Sequence, residues 1–218
     1  LSDDYGLIFD FDGTLAPNLD LPDMRRRVID YTLDHGVPEP VIADAYIVEI
    51  IELASKWLAQ RNAELARRYH QQAHGLITNF ELEAAGQTAV YQHARQLLQR
   101  WRTQNGRSAI VTRNCRDAVV RTYPQVLAEV DVLLARDDVT YLKPDSRHLQ
   151  TALSQLRTQV AQSMMIGDGQ MDMRLGRAHG LYCIGVLGGS SNREALLAAG
   201  ADCVVEHIAT LAQALNEL

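Results

Sequence analysis

The sequence predicts an α/β fold: a doubly wound, Rossmann-like core with a mainly parallel sheet, carrying an inserted α-helical domain. Three observations predict it. Short, almost uniformly apolar runs recur along the chain, helical patterns alternate with them, and one early stretch of roughly 70 residues holds helical patterns only.

The apolar runs are Gly6 to Phe11, Ser108 to Thr112, Val130 to Ala135, Ser163 to Gly167, Leu181 to Leu187 and Asp202 to Val205. Most are too uniformly apolar for half-exposed strands, so they read as strands covered on both faces. Helical patterns fall between and after them at Val90 to Gln104, Arg116 to Leu127, Ser146 to Leu156, Met171 to His179, Ser191 to Ala199 and Ile208 to Asn216. From about Leu19 to Ala85 the rhythm changes. Asp23 to Asp34, Val41 to Gln72 and Asn79 to Ala85 read as helices, with His35-Gly36-Val37-Pro38 and His74-Gly75 as stops. The expected division is a catalytic core of residues 1–15 and 87–218 and a helical cap of residues 16–86. Ligands of an open α/β sheet bind outside the carboxyl ends of its strands, so an insert leaving the first strand is expected to cover that site as a lid.

With 218 residues, 47% of them hydrophobic, the chain can fill a substantial core. A net charge of -6 gives no basic footprint, which argues against nucleic acid or an anionic membrane and points to a small solute as partner. The three cysteines, Cys115, Cys183 and Cys203, form no CxxC pair and suit a reducing, cytoplasmic setting. The longest apolar runs fall far short of a membrane span, and the first residues lack a signal-peptide pattern. The oligomeric state is left open.

The chemistry gathers at strand ends. Asp10 and Asp12 follow the first run, Thr112 ends the second, Lys143 lies in the loop after the third, and Asp168 and Asp172 follow the fourth. Four carboxylates in one crevice repel an anion unless a cation is present, and hard oxygen ligands in that number suggest Mg²⁺. Residues i and i+2 of an extended chain point to one side, so Asp10 and Asp12 can reach one reacting centre. One carboxylate can then attack phosphorus while the other handles the proton of the leaving oxygen. Gly13 allows a tight turn there, and Thr14 can hydrogen-bond to hold it. Lys143 would neutralise the nucleophile and the transferring phosphoryl group. Among 21 basic residues only Lys56 and Lys143 are lysines, which makes this placement conspicuous.

DFDGTL, VTRN, LKPD and GDGQMD, in that order, resemble the four motifs of the haloacid dehalogenase superfamily over the whole chain outside the insert. VTRNCRDAV and LLARDDVTYLKPDSRHL are similar to the phosphoglycolate phosphatase-like branch, whose helical cap follows the first motif. The resemblance implies that Asp10 is the nucleophile and a Mg²⁺ ligand. It implies that Asp12 is the acid/base and lends its backbone carbonyl to the metal. Thr112 would bind a phosphoryl oxygen with a backbone N–H of Arg113 or Asn114, and Lys143 would steady Asp10 and phosphate. Asp168 would ligate the metal, and Asp172 would be a ligand or an acceptor for metal-bound water. Two departures stand out: Gly169 where the family often has Ser, and Ala16-Pro17-Asn18 where many relatives have Ser.

The expected activity is hydrolysis of a small phosphomonoester, with phosphoglycolate as the family-level guess. A phosphomutase of the β-phosphoglucomutase kind shares all four motifs. A phospho-accepting receiver domain would place its Asp after a later strand, and a non-catalytic binding protein would not need every one of these side chains. Asp12 argues against dehalogenation, whose leaving halide needs no proton. Lys56 reads as a solvated helix lysine, not a Schiff-base former. His70 and His74 have the i, i+4 spacing of a metal pair, but no acidic motif adjoins them and they read as solvated. Arg25, Arg26 and Arg27 read as a solvated charge run, Arg113 as a possible phosphate contact, and Cys115 as a space-filling residue. Ile47, Ile50, Ile51, Leu53, Trp57 and Leu58 read as cap core or a dimer face.

Overall fold

A computed structural model describes residues 5–216. Six strands, β1 (Gly6–Phe9), β2 (Arg107–Val111), β3 (Val132–Leu134), β4 (Ser163–Gly167), β5 (Tyr182–Val186) and β6 (Cys203–Val205), form one sheet in the order β3-β2-β1-β4-β5-β6. Every pairing is parallel. The order reverses at β1, whose neighbours are β2 and β4, and this switch point is where a doubly wound sheet opens its ligand crevice.

Helices cover both faces of the sheet because successive strand residues point to opposite sides. Leu7 and Phe9 of β1 join one apolar cluster with α4 (Gln92–Thr103) and α10 (Ile208–Asn216) through Leu97, Leu98, Trp101, Ile208 and Leu211. Ile8 joins the other cluster, with α7 (Ser146–Leu156) and α8 (Gln170–Ala178) contributing Leu149, Ala152, Leu156 and Met173. Ile8, Phe9, Ile110 and Ile166 are fully buried, each worth about 1.5–3 kcal/mol of transfer free energy. The helical pattern from Arg116 to Leu127 resolves into α5 (Arg116–Thr122) and α6 (Val126–Glu129). Pro124 lies between them, and proline cannot supply the helical N–H. The last helix of this unit before α10 is α9 (Arg193–Ala198).

Residues 20–84 form a second compact unit, and residues up to 19 and from 85 onward form the first. The helical unit contains α1 (Leu21–Asp34), α2 (Ile47–Ala59) and most of α3 (Ala63–Ala85). The single helix expected from Val41 to Gln72 is instead two, broken at Gln60 to Asn62, where the Asn62 side chain accepts the N–H groups of Glu64 and Leu65 at 3.0 Å and so caps α3. Conversely, α3 runs through His74-Gly75, the expected stop. Tyr69, Ala73 and Ile77 form a buried stripe across that glycine, and their packing outweighs its cost of about 1 kcal/mol. Ile50, Ile51, Ala54 and Leu58 of α2 are buried, whereas Leu53 is exposed. No helix among the described residues is long and apolar enough to cross a membrane.

Candidate active site

The parallel pairing continues one residue past the strand ends and fixes the first site residues. The Asp10 N–H donates to the Ile166 carbonyl at 2.9 Å, and the Thr112 N–H donates to the Leu134 carbonyl at 3.1 Å. Asp10, Thr112 and Asp168 are thereby carried to the same edge of adjacent strands β2, β1 and β4. Gly13 turns the chain with φ +78°, a left-handed conformation that disfavours other residues. A Cβ there would also stand 2.6 Å from Asp168 Oδ2.

Lys143 organises the acidic group. Its Nζ lies 2.9 Å from Asp10 Oδ1 and 2.7 Å from Asp172 Oδ1, with the Lys143 and Asp172 side chains each 3% exposed and Asp10 16%. Carboxylate oxygens of Asp10, Asp168 and Asp172 fall within 4.8 Å of one another. Burial disfavours the ammonium, but Asp10 and Asp172 more than offset it and raise the Lys143 pKa. Burial raises Asp172, against the pull of Lys143, and the charges of Asp10 and Asp168 add to the rise. Asp168 is also raised, by burial first and then by Asp10, although the Ser190 N–H donates to its Oδ2 at 2.6 Å. Three carboxylates against one ammonium leave an excess of negative charge in a buried pocket. Such an all-oxygen donor set fits Mg²⁺, whose charge would offset that excess.

Asp12 stands apart from this acidic group. Its carboxylate accepts from Asn114 Nδ2 at 3.0 and 3.2 Å, and the Asn114 N–H in turn donates to Thr112 Oγ1 at 3.1 Å. The second strand's loop therefore holds the second aspartate. Arg113 Nη1 donates to the Lys143 carbonyl at 2.6 Å, which ties this loop to the lysine loop.

Four positioning residues were not singled out from the sequence. His148, fully buried, accepts the Lys143 N–H on Nδ1 at 3.1 Å. Its Nε2 faces the Leu134 carbonyl at 3.2 Å, so Nε2 carries the proton. Burial, then the nearby Lys143 charge, pushes its pKa down to about 4, and the ring is neutral at pH 7. Arg136 is buried and donates Nη1 to the Arg113 carbonyl at 2.9 Å. Gly189 and Ser190, after β5, press on Asp168: a Cβ at Gly189 would stand 2.1 Å from its Oδ2. His148 lies five residues after Lys143, and nothing in that spacing marks it as buried against the lysine loop.

Residues outside the crevice fall as follows. Lys56 is exposed. Arg26 and Arg27 pair with Asp23 on an exposed face of α1. Cys115 is buried at the start of α5. The reading of His70 and His74 as solvated residues without an acidic neighbour is corrected: both point Nε2 at Glu52 Oε1, at 3.0 and 3.5 Å. Glu52 comes from α2, a different helix, which the sequence pattern did not bring alongside.

Residues 7–186 match the family model described as haloacid dehalogenase-like hydrolase. The chain is 26% identical to a phosphoglycolate phosphatase of Yersinia pseudotuberculosis, over 97% of this chain and 93% of that one. It is also 26% identical to the pyrophosphatase PpaX of Bacillus velezensis, over 94% and 93%. Among solved structures, a hydrolase from Pseudomonas syringae superposes with a TM-score of 0.69 at 22% identity, covering 98% of this chain and 99% of the other.

Proposed function

This chain belongs to the haloacid dehalogenase-like hydrolase family, and from that premise we propose that it is a Mg²⁺-dependent phosphatase with Asp10 as nucleophile. Its substrate is a small phosphomonoester, for which phosphoglycolate is the first candidate. The observation that carries the reading is the division of labour between the two aspartates of DFDGT. Asp10 lies against Lys143 and the acidic group, while Asp12 is held aside by Asn114.

Asp10, Asp168 and Asp172 would hold the ion, with the Asp12 backbone carbonyl. Bound there, Mg²⁺ would neutralise phosphate oxygens and so favour attack at phosphorus. Among the described residues, the contacts of Asp10 with Phe11 N–H and Lys143 both fall on Oδ1, which leaves Oδ2 as the attacking atom. An Asp10–phosphorus bond forms, the bond from phosphorus to the ester oxygen breaks, and Asp12 gives that oxygen its proton. Water then attacks phosphorus, Asp12 takes its proton, and the Asp10–phosphorus bond breaks to release phosphate. The Thr112 hydroxyl and the backbone N–H of Arg113 bind phosphoryl oxygens, Lys143 supplies positive charge, and Gly13 lets the backbone approach.

The test is phosphate release from a panel that includes phosphoglycolate, sugar phosphates and pyrophosphate, with Mg²⁺ or with EDTA. Metal-dependent release by the wild type, absent in Asp10→Asn, is the expected result. Release that survives Asp10→Asn would overturn the nucleophile assignment. Conversion of a sugar phosphate to its isomer without phosphate release would replace hydrolysis with a mutase reaction.

A further inference from the structure

We propose that Glu52, His70 and His74 form a second metal site, in the helical unit, selective for a borderline transition ion such as Zn²⁺ over Mg²⁺. His70 and His74 are one turn apart on α3, with ring centroids 4.4 Å apart. Their Nε2 atoms lie 3.0 and 3.5 Å from the same oxygen, Glu52 Oε1, and one ligand atom from each of the three residues falls within 4.8 Å of the others. Zn²⁺ bonds of about 2.0–2.2 Å in tetrahedral geometry place neighbouring ligand atoms roughly 3.3 Å apart, between the two observed separations. Two imidazoles and one carboxylate are a known zinc donor set that leaves a fourth position for water.

The framework holds this register without the ion. Tyr69, Ala73 and Ile77 bury one stripe of α3, which turns the adjoining His70–His74 stripe toward α2. Ile51 and Ala54 bury the face of α2 next to Glu52. Side-chain exposures of 46% for Glu52, 43% for His70 and 27% for His74 leave a path for ion entry. Imidazole donors separate this site from the all-carboxylate crevice, since Mg²⁺ takes oxygen ligands. Bound there, the ion would cross-link α2 to α3.

The experiment is a ZnCl₂ titration of the chelator-treated full chain in saturating MgCl₂. It is followed by calorimetry and by the imidazole ¹⁵N resonances of all seven histidines. One Zn²⁺ per chain is expected, with the Nε2 signals of His70 and His74 moving together. Affinity should fall on the order of 100-fold in His74→Ala and roughly tenfold or more in Glu52→Gln, with circular dichroism unchanged. The thermal midpoint should rise with Zn²⁺ in the wild type and not in His70→Ala/His74→Ala. Equal Zn²⁺ affinity in wild type and the double variant, movement of other histidines instead, or no binding would each overturn the site. The outcome is independent of phosphatase activity, which the Asp10→Asn assay tests separately.

Discussion

Two carboxylates, one in each unit, sit beside nitrogen donors at similar distances and are driven in opposite directions. Asp172 lies 2.7 Å from the Lys143 ammonium, yet its pKa is raised. Glu52 lies 3.0 Å from His70 and 3.5 Å from His74, and it is lowered to about 2. Exposure explains the difference. Asp172 is buried among other carboxylates, so desolvation and like charge outweigh its partner, whereas Glu52 is 46% exposed and hydrogen bonding prevails. Contact with a cation does not by itself stabilise an anion. The crevice carries an excess of negative charge that a dication would offset, while the Glu52 carboxylate already has both imidazoles as neighbours.

The largest expected effect is at the proposed nucleophile. Asp10→Asn should reduce metal-dependent phosphate release at least on the order of 10³-fold, read by single-turnover kinetics. Lys143→Met removes the one ammonium in contact with Asp10 and Asp172, and turnover should fall on the order of 10²–10³-fold. Lys143→Arg should not restore it, because a planar guanidinium cannot occupy the ammonium's place. Glu52→Gln, by contrast, should change stability by under about 1 kcal/mol in urea unfolding, since its contacts are solvent-screened. A loss well above about 1 kcal/mol there would break the comparison.

Gly189→Ala keeps every ligand but drives a methyl group into Asp168, and activity should fall on the order of 10²-fold with a weaker Mg²⁺ dependence. At about 100 times its Kd, Mg²⁺ should raise the wild-type melting midpoint by roughly 5–10 °C, and Asp168→Asn should abolish the shift. A third carboxylate supplies a pH dependence. Glu129 is lowered to about 2, by Arg95 foremost, from an ordinary value of 4.5. A depressed folded-state pKa contributes stability that is complete above pH 4.5 and is lost as pH falls toward 2. Acid titration of urea midpoints should therefore show wild type and Glu129→Gln converging over that window.

Most of the sheet was legible in the sequence because its strands are buried on both faces and read as unbroken apolar runs. Ser163 to Gly167 and the helices Ser146 to Leu156 and Ile208 to Asn216 agree with the structure to the residue. The grouping of Asp10, Asp168, Asp172 and Lys143 was legible because they stand at strand ends or in the segments that follow them, and the parallel topology gathers those ends at one edge. What escaped depends on contacts between distant segments. Asn62 could have been recognised as a cap, but the apolar period on either side ran through the break. Nothing in the spacing of His70 and His74 indicates that Glu52 on another helix faces them. His148 and Arg136 are ordinary residues by pattern, and their roles follow from burial against the backbone of the site loops.

Site residues from Asp10 to Asp172 are gathered by four neighbouring strands, β3, β2, β1 and β4, that are far apart along the chain. Parallel neighbours meet only after their crossover segments have been laid down. During synthesis the first aspartate therefore waits, harmless and unarmed, until the fourth strand leaves the ribosome and docks beside it. Turnover then reports the integrity of these four strands. A preparation that has lost the β3 edge to proteolysis or partial denaturation should fall silent instead of becoming sluggish, and specific activity becomes a stringent assay of the folding of that half of the sheet.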